Sequence, residues 1–111
     1  MKCNHIDLPF EPLEGLYPTE EFLEWIKNYD IISGNVFDFI GTIIEYWWMP
    51  NWGVSIKRKY KGIQTVYMST GGWSGNEDII SAMMENHMFL SLYWQKSRRG
   101  GHYTFKLREL Q

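Results

Sequence analysis

Residues 49–69 read MPNWGVSIKRKYKGIQTVYMS, and within this stretch the spacing of apolar residues changes from helical to alternating. Trp52, Val54 and Ile56 fall on one face of an extended segment, and Ser55, Lys57 and Lys59 on the other. Lys61-Gly62 supplies a turn, after which Ile63 to Ser69 returns as a second strand. On the amino-terminal side the pattern is helical. Val36, Phe37, Phe39, Ile40, Ile43, Ile44 and Trp47 make a broad apolar face on a helix that starts at Ser33 or Asn35 and is stopped by Pro50.

Working outward, Pro18-Thr19-Glu20-Glu21 opens an earlier helix with Thr19 as its cap and Phe22, Trp25, Ile26 and Tyr29 as its buried stripe. Residues 1–17, with Pro9, Pro12 and Gly15, hold no sustained period and read as an irregular arm. Beyond the two strands, Gly71 to Glu77 is a loop entering a third helix, with Ser74 and Glu77 spaced as a capping box and Ile79, Ile80, Met83 and Met84 facing inward. A last hairpin is expected from Met88 to Lys96, turning through Ser97 to Gly101 and returning over His102 to Leu107. The order α-α-β-β-α-β-β predicts an α+β domain over residues 1–111, its helices on one face of a mostly antiparallel sheet of about four strands.

Composition agrees with one core. The 111 residues are 44% hydrophobic and 17% aromatic, enough large side chains for burial without a covalent staple. Cys3 is the only cysteine, which excludes an intrachain disulfide and a cysteine-based zinc cage and fits a reducing compartment. The opening MKCNHIDLPFEPLEG lacks a signal-peptide core, and no apolar run is long enough to cross a bilayer, so a cytoplasmic protein is expected. Cys3 and His5 are too few for a metal site, and no cofactor is expected.

The net charge of −2 conceals a split: residues 1–50 carry 2 Lys against 9 acids (−7), and residues 51–111 carry 9 bases against 4 acids (+5). Such a split can steer an anionic partner to the carboxyl-terminal half. Chain direction brings the start of the third helix to the same edge of the sheet as the last turn. Backbone amides at Trp73, Ser74, Gly75 and Asn76, together with Arg98, Arg99 and His102, then form a candidate anion site, with phosphate as the first ligand to try. Turn and cap chemistry accounts for many of the same residues.

The segments GGWSGNEDII (71–80) and SRRGGHYTF (97–105) resemble a signature of small uncharacterised proteins encoded by bacteriophages and prophages. The resemblance covers roughly residues 69–106; it implies a bacterial cytoplasmic setting and an accessory role directed at a host component, and no reaction. The leading expectation is a non-catalytic binding protein for a nucleotide or nucleic-acid phosphate. For nucleic acid, Lys57, Arg58, Lys59 and Lys61 form a basic hairpin, and Tyr60, Phe89 and Tyr93 are candidate stacking residues. Two alternatives stand beside it. One is an inhibitor or adaptor that binds a host protein through the acidic half and exposed aromatics, Trp48 foremost. The other is a phosphodiester-cleaving enzyme in which His102 carries protons, Arg98 or Arg99 stabilises charge and Glu77 assists.

Overall fold

The computed structural model describes residues 6–109. Cys3 and His5 lie outside them. Helix α1 (Glu20–Asn28) is capped as expected: the Thr19 hydroxyl oxygen accepts from the Phe22 amide at 3.2 Å while its hydroxyl donates to the Glu11 carbonyl at 2.7 Å. The preceding arm is not wholly irregular, because Leu13–Glu14 (β1) pairs with Tyr17–Pro18 (β2) around Gly15, whose φ of +66° suits glycine. In α2 (Val36–Glu45) the Asn35 side chain accepts from the Phe37 and Asp38 amides, and most of the helix is buried.

Pro50 does not stop this helix. The chain leaves helical geometry after Glu45, and Pro50 instead begins a one-turn helix, α3 (Pro50–Gly53), a position where its missing amide costs nothing. Trp52 therefore belongs to α3, and the first strand of the main sheet is only Val54–Ile56 (β3). Lys61 (φ +52°) and Gly62 (φ +78°) form the turn into β4 (Gln64–Ser69), the paired positive φ values being those of a type I′ hairpin.

Helix α4 (Ser74–Glu85) has Trp73 at its cap with no side-chain cap bond, so Ser74 and Glu77 do not form the expected box. The larger departure follows it. His87–Tyr93 is a helix (α5), not strand, and only Trp94–Arg98 (β5) extends before the turn into β6 (His102–Leu107). Asn86 makes the difference: its side-chain oxygen accepts from the Phe89 amide at 3.2 Å, starting α5, while its amide donates to the Ile26 and Tyr29 carbonyls at 2.9 and 3.1 Å. Phe89 and Tyr93 consequently enter the core.

The main sheet is antiparallel throughout, in the order β3-β4-β6-β5. On its inner face Gln64, Val66, Met68, Phe105 and Leu107 of the two central strands are fully buried, while Ile56 and Trp94 of the edge strands are exposed. An aromatic chain runs from Trp25 of α1 to Phe39 of α2, on to Phe89 of α5 and to Phe105 of β6, with centroid separations of 5.7, 5.2 and 5.2 Å. Such rings bury large areas, and their tilted contacts add to the gain. The α+β architecture with helices on one side of a four-stranded sheet is thus the one the periodicity predicts. Among the described residues no helix is long and apolar enough to cross a membrane.

Candidate functional site: the open face of the sheet

The two glycine-rich loops do meet. The Thr70 amide donates to the Gly101 carbonyl at 3.0 Å, because the last residue of β4, Ser69, pairs with the first of β6, His102. The amino end of α4, however, is occupied from within. The Trp73 ring is stacked between Tyr17 (5.1 Å) and Trp48 (4.7 Å), joining the β1–β2 hairpin, the α2–α3 connection and α4. Gly75 is buried, and a Cβ there would lie 2.8 Å from Trp73 Nε1 and 3.3 Å from Pro18 Cδ. Asn76 is buried with its side chain fully engaged: Oδ1 accepts from the Trp48 amide (2.9 Å), and Nδ2 donates to the Trp48 and Thr70 carbonyls (3.0 and 3.4 Å). Of these four residues Ser74 alone is exposed.

Arg98, Arg99 and His102 lie differently. Arg98 is the last residue of β5 and faces His102 across the ladder; Arg99 is exposed in the turn. The Ser69 hydroxyl and His102 Nδ1 are 2.7 Å apart. Among the described residues no carboxylate orients this imidazole, and Glu77 bonds to neither arginine nor histidine.

Strand pairing identifies a larger surface to which Arg98 and His102 belong. Residues directly opposite in an antiparallel ladder share a face. Opposite the buried face, β3 and its continuation present Ser55 and Lys57; β4 presents Thr65, Tyr67 and Ser69; β6 presents His102 and Lys106 on either side of the buried Thr104; and β5 presents Lys96 and Arg98. The helices pack on the other side, so this face is open. It carries four permanent cations and no carboxylate, and among the described residues none of the four is ion-paired. The ion pair found among them, Lys27 with Glu85 at 3.7 Å, joins α1 to α4.

At the β3–β4 hairpin this face runs into a cleft of about 380 Å³ lined by Lys57, Arg58, Tyr60, Lys61, Thr65 and Lys106, together with Ile63. Lys59, expected beside Lys57, instead packs its ammonium 5.1 Å from the centre of the Phe37 ring, because the ladder ends with the Lys57 amide bonded to the Thr65 carbonyl and alternation goes no further. Phe89 and Tyr93 are core residues and cannot stack on a ligand; Tyr60 and Tyr67 are exposed. Trp48 is half-buried under Trp73, and the exposed tryptophan of that segment is Trp52, at 65%. Thr65, Tyr67, Ser69, Lys96 and Lys106 were not among the candidates; their alternation along β4, β5 and β6 is the signal that selects them.

No protein-family model matches the chain, and no curated protein or solved structure matches it either.

Proposed function

We propose that the domain is a non-catalytic accessory binding protein that takes up a phosphate-bearing polyanion on the open face of its sheet. The observation that carries this reading is the composition of that face: Lys57, Lys96, Arg98 and Lys106, with His102, and no acid among them. Clustered unpaired cations on one surface raise the local concentration of an anionic partner and release its counterions on binding. The test is affinity for inorganic polyphosphate at a series of salt concentrations, for the native chain and for the variant with Lys57, Lys96, Arg98 and Lys106 all replaced by Ala. Affinity should fall linearly on logarithmic axes as salt rises, and the slope should flatten in the variant. Binding that ignores salt, or that the folded variant retains in full, overturns the reading.

On the resemblance of residues 69–106 to phage-encoded proteins, the setting we propose is the cytoplasm of a bacterial host. A second reading, recognition of a host protein, draws on the 65% exposure of Trp52, whose ring lies against Gly71. An exposed tryptophan held by a neighbour is the kind of residue that anchors protein interfaces. Capture of a host protein that Trp52→Ala abolishes and the quadruple variant retains would favour it.

A further inference from the structure

Charge alone recruits any polyanion, but the open face offers more than charge. Tyr67 stands at its centre on β4, 38% exposed, with Lys57 Nζ 5.9 Å from its ring centroid. Tyr60 lines the basic cleft at the end of the same face and is 72% exposed. Flat rings beside cations are what a nucleobase and its phosphate require together, since every base presents a π face and the backbone follows the positive groove. A polyphosphate has nothing to place on the rings. Around them, the hydroxyls of Ser55 and Thr65 supply donors and acceptors for the sugar-phosphate backbone.

Size argues for a single strand over a duplex. Four strands at about 4.8 Å spacing make the face about 14 Å across. That is wider than the ~12 Å major groove, so the sheet cannot lie flat within it. Duplex bases would also remain stacked on each other and out of reach of Tyr67, whereas a single strand can splay its bases onto a surface.

We infer that the polyanion is single-stranded nucleic acid, laid along β4 and β6 with bases on Tyr67 and Tyr60 and phosphates on Lys57, Lys106, Lys96 and Arg98. The inference rests on the polyanion reading above and adds to it the recognition of bases. The protein reads no sequence in this arrangement, because stacking tolerates every base.

The experiment measures fluorescence anisotropy of a labelled oligothymidylate of ~12 nucleotides, within the range one such surface occupies, competed by the matching duplex and by inorganic polyphosphate. Proteins compared are the native chain, the Tyr60→Ala/Tyr67→Ala double variant and the Tyr60→Phe/Tyr67→Phe double variant, each checked for an unchanged thermal midpoint. The single strand should bind at least several-fold more tightly than either competitor. The alanine pair should lose roughly 5- to 150-fold per ring for the single strand, with polyphosphate affinity nearly unchanged, while the phenylalanine pair binds as the native chain does. Equal loss for both probes, no loss for either, or duplex binding as tight as single-strand binding overturns the inference and leaves the polyanion reading standing. Failure of both the single strand and polyphosphate to bind ends both.

Discussion

Asn86 makes three hydrogen bonds from a buried side chain, linking the last carbonyls of α1 to the first turn of α5 across some sixty positions of sequence. Removing it leaves buried backbone groups without partners, each costing about 1–3 kcal/mol. Asn86→Ala should therefore destabilise the fold by about 2–4 kcal/mol in chemical denaturation. Asn86→Asp, which keeps the cap acceptor but cannot donate, should also destabilise it, because the two carbonyls still lose their donor. Tyr93 presents the opposite case. Its hydroxyl is buried with no hydrogen-bond partner among the described residues, and burial raises its pKa above 10.0, against a smaller lowering by Arg108. The neutral phenol is thus the form the fold favours: its contribution is fully present below the unfolded value and is lost as pH rises through the higher folded value. Tyr93→Phe should match or exceed the native midpoint at neutral pH and should lessen the fall in stability above about pH 10, which melts across an alkaline series would show. Neither role was read from the sequence, where Asn86 falls between the third helix and the expected hairpin, and Tyr93 falls within that hairpin's first strand.

At the scale of elements, the helix over His87–Tyr93 shows where periodicity loses its force. Met88, Phe89, Leu90, Leu92 and Tyr93 form a short apolar run that satisfies strand and helix spacing equally well. What decides between them is the cap at Asn86 and the tertiary pocket for Phe89, and only the cap residue can be seen in sequence. The strands over Ile63 to Ser69 and His102 to Leu107 were more legible, since both alternate, but alternation does not disclose the β4–β6 pairing. Its consequence, the contact between Thr70 and Gly101, can be tested by glycine substitution. Gly100 and Gly101 both have positive φ, +90° and +79°, so either change to Ala carries backbone strain of about 1 kcal/mol or more. A Cβ on Gly100 would only reach van der Waals contact with the His102 ring at 3.4 Å, whereas one on Gly101 would collide with the Thr70 hydroxyl. Gly101→Ala should therefore lower the unfolding midpoint distinctly more than Gly100→Ala. Equal midpoints would mean that the loop and turn yield freely to each other.

Across the whole molecule, the charge split seen along the sequence becomes a split between layers. All nine bases of residues 51–111 lie on the sheet strands or in the segments beside them, and α4 and α5 contain none. The acids of α1, α2 and α4 lie in the helical layer on the opposite side. The sequence made the halves visible, but the face on which the bases gather depends on strand register, and that emerges only from the pairing of β3, β4, β6 and β5. A protein with a pI near 5.9 should repel a polyanionic matrix at neutral pH if net charge governs the encounter. With charge arranged by layer, the local field of the sheet governs instead, within a Debye length of about 10 Å at 0.1 M salt. The chain should accordingly be retained on a phosphocellulose column at neutral pH and low salt despite its formal charge of −2. Replacing Lys57, Lys96, Arg98 and Lys106 with Ala takes that charge from −2 to −6 and should abolish retention. The informative control returns it to −2 by also changing the exposed Glu11, Glu14 and Glu45 to Gln and the exposed Asp78 to Asn, all away from the open face. If the face is what binds, this charge-restored variant still flows through, because its net charge equals the native value while the surface that meets the matrix remains neutral. Recovery of retention would instead assign the interaction to overall charge and leave the open face without a role in it.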